Sequence, residues 1–166
     1  MQTAWLLAGA IAFSIIAPGT IAGFIPYAIT RWRVQSHWFG LPGQIGGGLM
    51  LAAGVLVLAE SFLRFVFVGR GTPAPVAPPE GLVVSGFYRY TRNPMYVAVV
   101  SAIVGQALLF GSANLLAYAV LIWLLVSGFV LLYEEPVLRR KFGRSYDVYR
   151  GNVPRWWPRS KPWRGE

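Results

Sequence analysis

Leu115-Leu116-Ala117-Tyr118-Ala119-Val120-Leu121-Ile122-Trp123-Leu124-Leu125-Val126-Ser127-Gly128-Phe129-Val130-Leu131-Leu132-Tyr133 is nineteen residues without a charge, closed by Glu134-Glu135. About 20 mostly apolar residues cross a hydrocarbon core as a helix, and a helix apolar all round is buried or lipid-embedded. Working outward, three more apolar stretches precede this one: about 4–29, interrupted by Pro18-Gly19; about 45–68; and 95–110, which is short. The whole chain agrees. Of its 166 residues 55% are hydrophobic and 13% charged, about half the usual charged share. The expected fold class is therefore all-α: a polytopic transmembrane helical protein of about four spans, one integral membrane domain over 1–166. Such a composition argues against a soluble enzyme, a disordered chain and a coiled coil. The chain has no Cys and one His. That excludes disulfides, thiolate ligands and cysteine nucleophiles, and no metal is expected.

The charge is unevenly placed. The formal net charge is +9, and nine of the fifteen Lys and Arg follow residue 138, opposed there only by Asp147 and Glu166. Positive charge beside apolar spans is the ordinary mark of the cytoplasmic side. Four spans put both termini on one side. The termini, the 69–94 connection and the basic tail are thus expected at the cytoplasmic face of a plasma or inner membrane; Arg31 and Arg33 run against that rule. No nucleic-acid partner is expected, because Trp156, Trp157 and Trp163 among prolines suit a membrane interface better. The first stretch lacks a basic n-region and is too long for a leader, so it reads as a span. Pro73, Pro75, Pro78 and Pro79 make 71–80 an extended connector. Glu60 and Arg64 share a helix face and read as a pair.

Two polar clusters break the apolar background. Gly86-Phe87-Tyr88-Arg89-Tyr90-Thr91-Arg92-Asn93-Pro94-Met95-Tyr96 precedes the third stretch. Asn93-Pro94 predicts a helix start, with Asn as N-cap and Pro at the first helical position. That leaves two Arg and three Tyr unexplained. The second cluster is Glu134-Glu135, followed by Pro136. Two carboxylates so close to lipid are costly unless neutralised or used. Pro136 can open a new helix. Leu138, Phe142, Tyr146 and Tyr149 then make one apolar face, and Arg139, Arg140, Lys141, Arg144 and Arg150 supply charge, which predicts an interfacial amphipathic helix on the membrane surface. Both clusters fall on the expected cytoplasmic face and together suit a polar pocket. Glu134 fits a cationic or hydroxyl-bearing ligand, and the Arg and Tyr residues an anionic one. Composition alone gives no reaction.

In order and spacing the clusters resemble the isoprenylcysteine carboxyl methyltransferase and phospholipid methyltransferase superfamily of integral membrane enzymes. The family pattern is Gly-x-Tyr, then Arg-His/Asn-Pro-x-Tyr at the start of a span. Glu-Glu-x-x-Leu-x-x-x-Phe-Gly-x-x-Tyr-x-x-Tyr follows, then Val-Pro-Arg-x-x-Pro. This chain supplies Gly86, Tyr88, Arg92-Asn93-Pro94-Met95-Tyr96, Glu134-Glu135, Leu138, Phe142-Gly143, Tyr146, Tyr149, Val153-Pro154-Arg155 and Pro158. The resemblance makes 80–158 a cofactor-binding methyltransferase core behind an N-terminal two-span scaffold at 1–68. It implies S-adenosyl-L-methionine as methyl donor, contacted by Gly81, Leu82, Val83, Tyr88, Asn93, Pro94, Met95, Tyr96 and Glu134. Glu135 is implied beside the site or at the surface. Arg92 and Arg155 are candidate contacts to an acceptor head group or to the cofactor carboxylate.

Three positions depart from the eukaryotic prenylcysteine enzymes. Asn93 and Glu80 each stand where those have His. Val130 stands where they have an Arg that holds the acceptor carboxylate. The implied function is methyl transfer to a lipophilic acceptor entering from the bilayer at the cytoplasmic face. Alternatives are a phospholipid amine N-methyltransferase, an NADPH-dependent membrane reductase and a non-catalytic membrane scaffold; the Glu-Glu motif favours methyl transfer. The sequence selects no catalytic base.

Overall fold

The structure, a computed structural model, describes residues 16–67 and 81–165. The start of the first apolar stretch and the proline-rich connector 71–80, Glu80 included, lie outside the described residues. Within them every regular element is a helix, and there is no strand. The helices are α1 (Ile16–Thr30), α2 (Gly40–Phe67), α3 (Pro94–Phe110), α4 (Ala113–Phe142) and α5 (Arg144–Asn152). A 3-10 turn, Gly86–Arg89, leads into α3. Among the described residues two stretches are long and apolar enough to cross a membrane, Gly40–Arg64 of α2 and all of α4. Helix α3 has 17 residues, as short as its sequence suggested.

Helices α2 and α3 run antiparallel and touch backbone to backbone. A Cβ on Gly47 would lie 2.6 Å from the Gly105 carbonyl oxygen, and one on Gly105 2.7 Å from the Gly47 carbonyl oxygen. Further along, Gly54 rests against Ala98 and Ala102 in the same way. Where lipid surrounds helices there is no hydrophobic gain in pairing them, so close approach through small residues supplies the attraction instead. A left-handed Gly111 (φ +60°) ends α3, and Ser112 caps α4 by accepting from the Leu115 N–H at 3.4 Å. This tight turn makes α4 antiparallel to α3, so the start of α3 meets the far part of α4.

Pro26 and Pro136 sit inside helices, and a wide turn precedes each. In α1 a π-turn at Thr20–Phe24 comes before Pro26. Pro26 has no N–H to give the Ala22 carbonyl four residues back. Gln106 of α3 donates its side-chain amide to that oxygen at 2.7 Å, and Tyr118 of α4 donates to the Ile21 carbonyl at 3.0 Å. The freed backbone is satisfied by neighbours, and α1 is pinned to α3 and α4. The first stretch therefore runs through Pro18, with its irregularity just after it.

In α4 a second π-turn, Val130–Glu134, precedes Pro136. The helix passes the proline instead of opening afresh there. The single amphipathic helix expected over Leu138–Tyr149 is broken as well. Gly143 (φ +50°) separates α4 from α5 with a backbone conformation that L-residues resist. The apolar side chains are turned inward by this break. Leu138, Phe142, Leu82, Val84 and Trp163 pack around a buried cluster of Tyr146, Tyr149 and Val153.

Candidate active site

Tyr96 lies in the first turn of α3, and its hydroxyl donates to Glu134 Oε2 at 3.0 Å. The contact joins the two polar clusters 38 positions apart. Local sequence sets it up. Pro94 stands at the first helical position with Asn93 before it. The Asn93 side chain does not cap the helix; it donates to the Arg155 carbonyl at 3.1 Å.

Adjacent residues on a helix point roughly 100° apart, so Glu134 and Glu135 face different surroundings. Glu135 is buried, 8% exposed. Arg155 grips it with two nitrogens, Nε to Oε1 at 2.6 Å and Nη2 to Oε2 at 2.9 Å. Arg92 Nη1 donates to Oε1 at 2.9 Å and reaches the Tyr146 hydroxyl at 3.2 Å. Bidentate, charge-assisted bonds of this kind are among the strongest available. Glu134 has no cation within ion-pair distance among the described residues. One carboxylate is thus held by two arginines, whereas the other meets the Tyr96 hydroxyl.

The non-helical tail is laced along the first cluster. The Arg92 N–H donates to the Pro154 carbonyl at 2.9 Å, and the Thr91 hydroxyl to the Arg155 carbonyl at 2.9 Å. The Arg159 N–H donates to the Tyr90 carbonyl at 2.9 Å. The Trp163 N–H donates to the Arg89 carbonyl at 3.0 Å, and Arg89 Nε returns a bond to the Trp163 carbonyl at 2.5 Å. The Tyr149 hydroxyl donates to the Tyr88 carbonyl at 2.6 Å. Burial pushes the Tyr88 phenol well above its ordinary range, and the Glu134 carboxylate adds to the effect. Burial also raises Tyr149. Both phenols therefore stay protonated, Tyr149 as a donor, throughout the physiological range.

Of the residues expected at the site, Tyr96 and Glu134 are bonded, Asn93 and Pro94 are buried beside them, and Tyr88 is close enough to feel the Glu134 charge. Met95 is half-buried in the same turn. Gly81 is exposed and Val83 buried. Leu82 lines an open cleft of about 1220 Å3 with Glu60, Arg64, Phe87, Arg89 and Trp163, which neither Tyr96 nor Glu134 lines. Arg92 and Arg155 are both engaged by Glu135.

Sequence reasoning underrated Glu135. The signal was present: a carboxylate beside lipid, with Arg in excess around it, requires partners. Thr91, Tyr146 and Trp163 were missed as tethers because their partners lie 54 to 74 positions away. Glu60 and Arg64 pair at 2.9 Å as the spacing suggested.

The protein-S-isoprenylcysteine O-methyltransferase B of Arabidopsis thaliana is 29% identical over 126 residues, 73% of this chain and 60% of that protein. The protein-S-isoprenylcysteine O-methyltransferase of Schizosaccharomyces pombe is 35% identical over 74 residues, 44% of this chain and 31% of that protein. The chain thus spans at most about 60% of the length of these curated relatives. No solved structure matches it. The phospholipid methyltransferase family model matches residues 43–145, more than half the chain, from the first turns of α2 through Tyr96 and both glutamates to the start of α5. A match of that extent, carrying the Tyr96–Glu134 contact within it, means that the chain belongs to the phospholipid methyltransferase family.

Proposed function

We propose that this protein transfers a methyl group from S-adenosyl-L-methionine to a lipophilic acceptor at the cytoplasmic boundary of a membrane. The observation that carries this reading is the Tyr96–Glu134 contact, which leaves an uncompensated carboxylate where the two polar clusters converge. The residues fit the cofactor. A carboxylate without a protein counter-cation, among tyrosine rings, suits a ligand bearing an ammonium and a sulfonium. Among the described residues the buried Arg92 Nε has no hydrogen-bond partner, so it is a donor for a ligand carboxylate. Tyr88, Asn93, Pro94, Met95, Tyr96 and Glu134 would hold the cofactor, with Gly81, Leu82 and Val83 at the edge. When bound, it supplies an electrophilic methyl on sulfur.

The chain's own part is positional. Tyr96 orients Glu134, and Glu135 with its two Arg fixes the end of α4 against the start of α3. Holding donor and acceptor in line lowers such a barrier by several kcal/mol without an enzyme intermediate. Helices α1 to α4 are read as four spans, residues 1–68 as scaffold and 80–158 as core, and α5 with the tail as a cap at the cytoplasmic interface. The acceptor enters laterally from the bilayer. Val130, 1% exposed, places an uncharged isopropyl side chain where the resembled prenylcysteine enzymes hold a carboxylate. That favours, as a second reading, an acceptor such as a phospholipid amine.

Calorimetric titration of the detergent-purified chain with S-adenosylmethionine, its demethylated product and NADPH tests the proposal. Saturable binding of the first two, weakened at least about tenfold by Glu134→Gln as loss of a charged partner predicts, is expected. Binding of NADPH alone would reassign the chain to a reductase.

A further inference from the structure

The geometry points to a second site, an anionic phospholipid head-group seat in the groove between the end of α4 and α5. The groove has a volume of about 720 Å3 and is lined by Arg139, Arg140, Arg150 and Arg155, with Leu131 and Leu132 at its apolar side. Four guanidinium groups face one carboxylate lining the groove, Glu135, which Arg155 and Arg92 already neutralise. Arg139 pairs with Asp147 at 3.0 Å and ties α5 to α4, fixing the two walls. Among the described residues Arg140 and Arg150 have no ion-pair partner and are exposed. Guanidinium forks match phosphate oxygens.

The depth of the groove selects a lipid as the source of that phosphate. Helix α4 has 30 residues, about 45 Å at 1.5 Å per residue, against a hydrocarbon core of about 30 Å. If the apolar start of α4 lies at one boundary, Leu132 reaches the other. The arginines then stand at the phosphate layer. Leu132 is 84% exposed and Leu131 45%, an apolar wall continuous with the lipid face of α4. One molecule with a phosphate and an acyl chain satisfies both parts of the groove. The seat rests on the reading of α4 as a span, but not on methyl transfer.

The test measures lipid binding rather than turnover, so it stands apart from the cofactor titration. The full chain in detergent is titrated with phosphatidylglycerol or phosphatidylcholine and followed by native mass spectrometry. Arg140→Gln/Arg150→Gln is compared with Arg144→Gln/Arg164→Gln, which removes equal charge away from the groove. At about 1 kcal/mol per basic residue, phosphatidylglycerol binding should fall about tenfold or more in the first pair and stay within about twofold in the second. Helical circular dichroism should be unchanged in both. Equal loss in the two pairs would replace a seat by diffuse attraction and overturn the inference. So would equal binding of the two lipids, or displacement of phosphatidylglycerol by millimolar inorganic phosphate.

Discussion

Glu134 and Glu135 differ by one position and by everything around them. Glu135 is locked by Arg92 and Arg155, with side-chain exposures of 10%, 8% and 26%. Replacing it with Gln leaves two guanidinium groups short of a counter-charge. A fully buried broken pair costs about 3–5 kcal/mol, and the partial exposure of Arg155 brings the expected loss to about 2 kcal/mol. Thermal unfolding in detergent should show a clear drop for Glu135→Gln and almost none for Glu134→Gln, while cofactor binding should show the reverse order of sensitivity. Equal loss of stability in both would mean that Glu134 is structural too. The tyrosines give a pH signature. Burial raises Tyr88 and Tyr149 above the ordinary phenol range of about 10. The folded state therefore binds more protons than the unfolded one above about pH 10. Stability from these phenols is whole below that value and lost as pH rises toward their folded pKa values. Tyr149→Phe gives up the bond to the Tyr88 carbonyl, about 1 kcal/mol, and should flatten the alkaline fall. Unfolding curves at pH 8, 10 and 11 check it, and an unchanged alkaline slope would refute it.

Neighbouring glycines in α2 have opposite meanings. A Cβ on Gly47 would strike the backbone of α3, whereas one on Gly48 meets nothing within 4 Å. Gly47→Ala should force α2 and α3 apart and cost about 1–3 kcal/mol, as overpacking does. Gly48→Ala should stabilise by about 0.5–1 kcal/mol through helix propensity alone. Melting temperatures moving in opposite directions would confirm the assignment; a shared direction would show that the α2–α3 contact is not this close. No hydropathy pattern distinguishes the two glycines, because the difference lies in which face α3 covers. Much else was legible. The apolar runs marked α2 and α4, and Asn93-Pro94 marked the start of α3. Local signals failed where a distant partner decides the outcome. Pro136 reads as a helix start, yet a π-turn carries α4 through it. Leu138 to Tyr149 reads as one helix with a lipid-facing stripe, yet Gly143 folds that stripe onto Leu82 and Val84. Asn93 reads as a cap, yet its amide serves a carbonyl 62 positions away.

The molecule is organised around a junction at one end of its helices, where three separate parts of the chain meet: the start of α3, the end of α4, and the tail. Helical antiparallelism brings the first two together, and hydrogen bonding adds the third. The tail is not helical after Asn152, so its backbone groups are free to bond outward, and Pro154, Arg155 and Trp163 offer carbonyls to Arg92, Thr91, Asn93 and Arg89. Resemblance located the two motifs, but the pairing between them required the fold, since spacing along a chain does not say which backbone carbonyl an Asn or Thr will find. Ending the chain after Val153 removes Arg155 from Glu135 and every acceptor named above, while the buried Tyr146–Tyr149–Val153 cluster keeps its three members. Helical circular dichroism should therefore be nearly unchanged, and S-adenosylmethionine binding should be lost. Ending it after Lys161 keeps Arg155 and the bond from the Arg159 N–H and gives up the two Trp163–Arg89 hydrogen bonds and the Trp163 ring against Tyr149, so affinity should fall only partly, by about tenfold at about 1 kcal/mol per hydrogen bond. If the shorter chain bound as tightly as the whole one, the tail would be a lid over a site complete without it, and Glu135 would need no partner from beyond α5.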